Sequence, residues 1–262
     1  MRWAAQFVGT AVMSKRGREL CLVRSLGDGV YAHKGRGATL VRSGPTAKPP
    51  SAQEAETLDV FCCEYMPRAG DIVLDIGAGM GEEAVTFARL VGPTGRVICV
   101  EAHPWTFAQL QQACALNGLD NVTPVQRAVS DRPGTIQIDD GVAGDTGWVG
   151  ARIGAGQTEV EATTVDELTA DLDRVDLMIM NIEGAEQLAI RGMHDALAKV
   201  RNVVVSCHDF VLEPGYSGGD PAWFATYETV SAFFRDAGFV LGPRRDDDPR
   251  AWVRYHVYAS RS

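Results

Sequence analysis

A glycine-rich segment at residues 73–82, with the sequence VLDIGAGMGE, has the composition and spacing of a ligand-binding turn. An apolar run leads into Asp75, and Gly77, Gly79 and Gly81 then precede a helical pattern. Glycines let the backbone turn tightly and approach a ligand closely. The helix that follows offers free N–H groups and the positive end of its dipole to an anionic group. We therefore predict that Asp75 and the three glycines belong to a binding site for a ligand that carries negative charge.

The spacing of these glycines argues against a dinucleotide. The dinucleotide fingerprint places glycines at x, x+2 and x+5, and counting from Gly77 the last position holds Glu82, whose carboxylate would repel a pyrophosphate. The next predicted strand ends in Glu101, 20 residues after Gly81. An acidic side chain at that place accepts the ribose hydroxyls of a bound nucleotide. A nucleoside that carries one amino-acid carboxylate satisfies both features, and we therefore predict S-adenosylmethionine as the ligand.

Apolar runs alternate with helical patterns along the part of the chain that must position these residues. The predicted strands are 72–74, 96–100, 122–126, 177–182 and 203–206, and the predicted helices are 82–90, 104–117 and 185–199. This alternation indicates a parallel sheet that helices cover on both faces. The tail predicts a helix at 223–237 and then two strands, which a charged turn joins directly and which must therefore pair antiparallel.

The chain divides at about residue 50. Residues 1–50 form an N-terminal extension with little periodicity, in which we predict a short strand at 19–24 and a loop over 35–50. We expect this extension to cover an edge of the sheet, to cover the mouth of the active site or to pair subunits into a homo-oligomer.

Residues 51–262 form the ligand-binding domain. Its first helix is expected to begin at Ser51, with Glu54 completing a capping box, and to end near residue 66. A Gly-rich insertion at about 130–165 predicts a hairpin or flap, in which Trp148 either closes over a ligand or anchors the flap by packing.

Three further segments resemble motifs of one enzyme family. They are AVSDRPG at 128–134, TVDEL at 164–168 and IEGAE at 182–186, which are similar to the FkbM family of S-adenosylmethionine-dependent methyltransferases over about residues 70–210. The resemblance implies a Rossmann-like α/β fold, with a mostly parallel seven-stranded sheet, an antiparallel edge strand and helices on both faces. It also implies O-methylation of a hydroxyl on a small molecule, mostly a sugar or secondary metabolite.

The ends of the predicted strands carry the remaining candidate site residues. Ala128, Val129 and Ser130 follow the third strand, where we expect the adenine to lie. Four polar residues follow the fourth and fifth strands: Asn181, Glu183, His208 and Asp209. Ligands in such folds bind outside the carboxyl ends of the strands, so these four side chains are expected beside the methyl donor.

Two mechanisms use these four residues. In the first, His208 is the general base, since an unperturbed histidine has a pKa of about 6.5, and Asp209 or Glu183 orients it or binds the acceptor. In the second, Asn181, His208 and Asp209 hold a divalent cation, Mg²⁺ or Mn²⁺, which acidifies the acceptor hydroxyl. The family commonly has Asp at the position of Asn181, and an amide is the weaker ligand. The metal-free mechanism is therefore favoured.

Composition narrows the range of partners. With 25 basic and 34 acidic residues the net charge is −9, which argues against a nucleic acid or an anionic membrane as partner. The chain has no apolar run long enough to span a membrane, and its N-terminus does not predict a secretory signal, so we expect a cytoplasmic protein. Two alternatives to the methyltransferase remain open. They are a nicotinamide-dependent Rossmann oxidoreductase and a non-catalytic S-adenosylmethionine-binding protein.

Overall fold

The computed structural model describes residues 10–13, 19–46, 48–138, 158–216 and 220–261. The N-terminal strands are Thr10–Met13 (β1), Leu20–Gly27 (β2), Val30–Lys34 (β3) and Thr39–Arg42 (β4). They form an antiparallel sheet in the order β1-β2-β3-β4, and Asp28 and Gly29, with φ of 48° and 74°, form the turn between β2 and β3. The predicted loop over 35–50 is wrong where β4 lies, because this strand is too short to show a period in the sequence.

The rest of the chain alternates strands and helices. The strands are Ile72–Ile76 (β5), Arg96–Glu101 (β6), Val122–Gln126 (β7), Ala128–Val129 (β8), Gly134–Ile138 (β9), Thr158–Thr163 (β10), Val175–Met180 (β11), Val200–Ser206 (β12), Val240–Leu241 (β13) and His256–Ser260 (β14). The helices are Pro50–Phe61 (α1), Ala84–Val91 (α2), Pro104–Asn117 (α3), Val165–Leu168 (α4), Glu186–Ala189 (α5), Pro221–Phe224 (α6) and Tyr227–Asp236 (α7).

Seven strands form the central sheet, in the order β13-β14-β12-β11-β5-β6-β7. The strands from β12 to β7 are parallel, whereas β14 pairs antiparallel with both β12 and β13. The predicted α/β class, with a mostly parallel seven-stranded sheet and antiparallel pairing at one edge, is confirmed. The strand order changes direction between β5 and β11, and the carboxyl ends of the strands at such a point form a crevice for a ligand.

Helices cover the sheet on both faces, and the central strands are therefore buried and mostly apolar. All six residues of β11 are buried. Met178 and Met180 pack on one face with Phe234 of α7, and Ile179 packs on the other face with Phe87 of α2. The alternation along β11 thus connects two separate core layers.

The N-terminal sheet packs on α3 and does not extend the central sheet. Val41 of β4 belongs to one buried cluster with Ala113 of α3. The Asn117 amide at the end of α3 donates to the Thr39 carbonyl at 2.7 Å and accepts from the Thr39 N–H at 2.8 Å. These contacts fix β4 beside the large domain and thereby set the position of Arg42 at its end.

The first helix differs from its predicted form. It begins at Pro50 and ends at Phe61, several residues before the predicted end. The capping box of Ser51 and Glu54 is wrong, since the helix start has no side-chain cap and the Ser51 hydroxyl donates to the carboxylate of Glu19. A proline in the first turn already has the helical φ and lacks the N–H that a cap would satisfy.

Tertiary contacts break two predicted helices. The helix predicted over 185–199 is α5 followed by two short 3₁₀ turns. The carboxylate of Asp166 accepts from the backbone N–H groups of His194 and Ala196 at 2.9 and 2.8 Å, which holds the chain out of a regular helix. The helix predicted over 223–237 is likewise divided, into α6 and α7.

The predicted hairpin in the insertion is present at its base. Strand β10 pairs antiparallel with β9 and parallel with β8. Trp148 lies outside the described residues, so its role in a flap stays a prediction. In the part of the chain that the structure describes, every helix is too short or too polar to cross a membrane.

Candidate active site

A cavity of about 470 Å³ opens at the carboxyl ends of β5, β6 and β11, where the strand order changes direction. Its walls include the glycine turn, the end of β6, the start of β8, the turn after β11, and the end of β4 with the segment that follows it. The lining residues include Arg42, Thr46, Gly77, Gly79, Glu82, Glu83, Glu101, Ala128, Val129, Asn181 and Glu183. Most of the predicted cofactor residues therefore surround one cavity.

The glycine turn is shaped by a close approach of two strand ends. Gly77 has φ of 84°, and a Cβ placed on it would lie 2.0 Å from the carbonyl oxygen of Asn181. Its N–H donates to the Val100 carbonyl at 2.8 Å, which holds the turn against β6. Gly79 has φ of 55° and open space where a Cβ would stand, so its backbone faces the cavity. The turn offers bare backbone to a ligand, as predicted from its composition.

Glu101 lies where a ribose would be bound. Its carboxylate accepts from the N–H groups of Gly79 at 3.0 Å and His103 at 2.8 Å. Burial raises the pKa of Glu101 to about 7. Glu101 also lines the cavity, where its carboxylate can accept from the vicinal hydroxyls of a ribose. The glycine turn and Glu101 therefore fit the adenosine part of S-adenosylmethionine.

Three predicted cofactor residues lie behind the cavity wall. Asp75 and Ser130 are buried, and neither lines the cavity, nor does Gly81. Burial and the nearby charge of Glu101 raise the pKa of Asp75 to about 7. The Ser130 N–H donates to the Thr163 carbonyl at 2.9 Å. In this arrangement the three residues shape the turn and the strand ends that face the ligand.

A buried cluster of ionisable groups connects the ends of β11 and β12. The His208 Nε2 atom lies 3.2 Å from a carboxylate oxygen of Glu183, and its Nδ1 atom lies 3.1 Å from one of Glu186. Burial alone lowers the pKa of His208, but the two carboxylates outweigh it and raise the pKa to about 10. The imidazole is therefore a cation at neutral pH, with both N–H groups donating to carboxylates.

Glu183 is the member of this cluster that reaches the cavity. It adopts φ of 58°, a left-handed conformation that a residue with a side chain rarely adopts. Its carbonyl accepts from Trp223 Nε1 at 2.8 Å, and a Cβ on Gly184 would lie 2.4 Å from that same nitrogen. Strained backbone of this kind is held by its surroundings and is concentrated at functional sites.

Glu186 holds the turn that follows β11 through hydrogen bonds to its backbone. It is fully buried, and one of its oxygens accepts from the N–H groups of Ile182 and Gly184, both at 3.2 Å, as well as from His208. Its other oxygen lies 3.4 Å from the Thr226 hydroxyl. Glu186 thus ties the turn after β11 to His208, and it does not itself line the cavity.

The predicted metal ligands do not form a metal site. Both nitrogens of His208 are hydrogen-bonded to carboxylates, and Asp209 accepts from the N–H groups of Thr226 and Tyr227, each at 3.0 Å, at the start of α7. Asn181 lines the cavity. Among the described residues no group of three or more His, Cys, Asp or Glu side chains is arranged to hold a metal ion. The donor set present therefore does not fit the predicted cation.

Raising the pH should weaken the fold through His208. Because the pKa of His208 is about 10 in the folded protein and about 6.5 in an unfolded chain, its ion pairs stabilise the protein fully below pH 6.5. That stability is lost as the pH rises to 10, by up to about 1.4 kcal/mol per pH unit. We expect the free energy of unfolding in urea to fall more steeply over this range for the wild type than for His208→Gln. If the two proteins lost stability in parallel as the pH rises, His208 would not be the stabilising cation.

The N-terminal extension was expected to cover an edge of the sheet or the active-site mouth, and it supplies part of the cavity wall, including Arg42, which the sequence did not single out. Arg42 at the end of β4 is 8% exposed, and its Nε atom lies 2.7 Å from a carboxylate oxygen of Glu82. Its terminal nitrogens donate to the Thr46 hydroxyl at 3.1 Å and to Gln53 Oε1 at 3.0 Å. Gln53 in turn donates to Glu83 at 2.9 Å. No local pattern around Arg42 marks it as a site residue, because its place depends on how two sheets pack.

Comparison with known proteins agrees with this geometry. The family model described as the methyltransferase FkbM domain matches residues 75–241. The solved structure of methyltransferase FkbM from Methylobacillus flagellatus KT superposes with a TM-score of 0.50 at 15% sequence identity. The superposition covers 81% of this chain and 51% of the Methylobacillus flagellatus chain. At this identity the likeness shows the fold.

Two curated relatives match parts of the chain. The 2-O-methyltransferase NoeI of Sinorhizobium fredii is 27% identical over 164 residues, which is 55% of this chain and 66% of that protein. The protein-L-isoaspartate O-methyltransferase of Fervidobacterium nodosum is 37% identical over 62 residues, which is 23% of this chain and 31% of that protein. The chain thus spans less than two thirds of each of these relatives.

Proposed function

The chain belongs to the FkbM methyltransferase family, and we propose that it methylates a hydroxyl oxygen of a small molecule, such as a sugar or a secondary metabolite. The observation that carries the proposal is the Glu183 carboxylate at the cavity wall. A carboxylate at this place can accept the proton that a hydroxyl must lose. The 2-O-methyltransferase NoeI, which matches 164 residues of the chain, supports oxygen as the acceptor atom.

S-Adenosylmethionine, when bound, supplies an electrophilic methyl group on a positively charged sulfur. Residues on the cavity wall would hold it, with Glu101 at the ribose and the backbone of Gly77 and Gly79 along the rest of the molecule. Holding donor and acceptor together in a suitable orientation accounts for a large part of the rate in such a reaction.

In this proposal Glu183, and not His208, accepts the proton that the acceptor hydroxyl loses. The imidazolium of His208 has no free lone pair with which to accept a proton, and its Nε2–H holds one carboxylate oxygen of Glu183 at 3.2 Å. The other oxygen of Glu183 is the acceptor for the hydroxyl proton. A hydroxyl oxygen becomes much more acidic as it forms a new bond to carbon, so a carboxylate is a strong enough base. His208 and Glu186 are positioning residues in this proposal.

Of the two alternatives, the nicotinamide-dependent oxidoreductase is set aside, since the family matched over residues 75–241 is one of methyltransferases. A non-catalytic S-adenosylmethionine-binding protein differs from our proposal in one observable, which is turnover. Incubation with a donor labelled on its methyl group and a panel of sugars and other alcohols should yield a labelled ether and S-adenosylhomocysteine.

The acceptor atom is tested with matched pairs in the same panel, in which an amine replaces each alcohol on the same scaffold. We expect the label on oxygen, identified in the product by NMR, and equal yields with and without EDTA. Labelled amines without ethers would contradict the proposal, and a loss of yield in EDTA that Mg²⁺ restores would return the metal mechanism to consideration.

A further inference from the structure

The charges around the cavity are distributed unevenly. Four carboxylates line it, those of Glu82, Glu83, Glu101 and Glu183. Two lining residues are cations, and one of them, Arg127, is turned to an exposed pair with Glu161 at 2.6 Å. Within the described residues this leaves Arg42 as the cation buried at the cavity wall. Its position needs an explanation, because burying a guanidinium is costly unless it is well paired.

Arg42 and Glu82 meet beside the glycine turn. Glu82 follows Gly81 directly, and the two charged groups lie 2.7 Å apart. Gln53 bonds to both Arg42 and Glu83, so the guanidinium is held in a fixed orientation. Glu82 itself is about one third exposed. The pair therefore has one buried member and one that is open to the cavity, so that a ligand in the cavity can reach both charged groups.

The donor ends in an amino acid that carries the opposite pair of charges. Its α-carboxylate would complement a guanidinium, which binds carboxylates with two parallel hydrogen bonds, and its α-ammonium would complement a carboxylate. We propose that Arg42 and Glu82 bind this zwitterion, Arg42 taking the carboxylate and Glu82 the ammonium, so that the N-terminal sheet completes the donor site. The inference depends on S-adenosylmethionine as the donor and not on the hydroxyl acceptor.

This arrangement leaves both Arg42 and Glu82 paired with an opposite charge, with and without ligand. Before binding, Arg42 and Glu82 neutralise each other. On binding, each exchanges its partner for one charge of the zwitterion, so that no buried charge is left unpaired. It also accounts for Glu82 at a position where a pyrophosphate would be repelled, since an amino-acid end brings a cation together with its anion.

The test compares two ligands that differ only at this end. S-Adenosylhomocysteine carries the amino acid, whereas 5′-methylthioadenosine lacks it and keeps the adenosine and the sulfur. By calorimetry we expect Arg42→Met to weaken S-adenosylhomocysteine binding by about tenfold or more, the value of a hydrogen bond to a charged group. The affinity for 5′-methylthioadenosine should change by less than about twofold. The ratio of the two affinities is measured on one protein, so partial misfolding cancels.

Lys48→Met is the matched control. Lys48 is a cation six positions from Arg42 that pairs with Glu56 at 2.9 Å and does not line the cavity. Its removal should leave the affinity ratio unchanged. Glu82→Gln is a second variant, which leaves Arg42 and its bond to Gln53 in place. Like Arg42→Met, it should lower the affinity for S-adenosylhomocysteine relative to that for 5′-methylthioadenosine.

The outcomes separate the possibilities. An unchanged ratio in both Arg42→Met and Glu82→Gln would overturn the inference while leaving the methyltransferase assignment intact. If Arg42→Met lowered the affinity for both ligands equally, Arg42 would have a structural role only, and the inference would also be overturned. If the wild-type protein bound neither ligand, S-adenosylmethionine would not be its methyl donor, and the proposed function would fail as well.

Discussion

Glu183→Gln should lower the rate of methyl transfer by about 10²–10⁴-fold, the usual contribution of a general base. The amide keeps the size of the carboxylate and can still accept from the Nε2–H of His208, so the strained turn should persist. What it loses is the capacity to take the hydroxyl proton. Single-turnover measurements with saturating donor report this step directly.

Two controls accompany this variant. The affinity for S-adenosylhomocysteine should stay within about twofold of wild type, since the donor is held by other residues. Glu228→Gln removes an exposed carboxylate in the first turn of α7 and should keep the wild-type rate. Wild-type turnover in Glu183→Gln would show that proton removal does not depend on this residue.

Glu101→Ala should weaken the binding of S-adenosylmethionine by about 1.5–3 kcal/mol, the value of hydrogen bonds to a charged group. The carboxylate of Glu101 lines the cavity and can accept from ribose hydroxyls in addition to the N–H groups of Gly79 and His103. Calorimetry on the free protein measures the loss. An unchanged affinity would remove Glu101 from the donor site.

The pH dependence of binding gives a second readout for the same residue. The pKa of Glu101 is about 7 because of its burial, and the ionised form is the better acceptor of the ribose hydroxyls. Donor affinity should therefore rise between pH 6 and pH 8 and then level off. The Glu101→Ala variant should lose this dependence, and a wild-type affinity that falls over the same range would contradict the assignment.

Local pattern in the sequence was sufficient for the sheet and the turn. The apolar runs of β5 and β6 are continuous because both faces of the parallel sheet are buried there. The predicted helix over 104–117 has the bounds of α3, Pro104–Asn117. Gly77, Gly79 and Glu101 were predicted from spacing to lie at one site, and all three line the cavity.

Other features depend on contacts between distant segments, which no local pattern records. Asp166 and Asp209 accept from backbone N–H groups about 30 and 17 residues away, and they thereby divide helices that periodicity predicts as continuous. The state of His208 is of the same kind. Its residue type predicts a base, but the two carboxylates packed against it raise its pKa to about 10.

Residues close together in the chain were enough to predict the sheet class, the glycine turn and an acidic residue at the end of β6, because each follows from local chemistry. Packing between distant segments brings Arg42 to Glu82 at the cavity and makes Glu183, which is paired with His208, the carboxylate of its cluster that lines the cavity. Charges act through space, and their partners here are 40 and 25 residues away. Their roles were therefore set by packing and not by spacing along the chain.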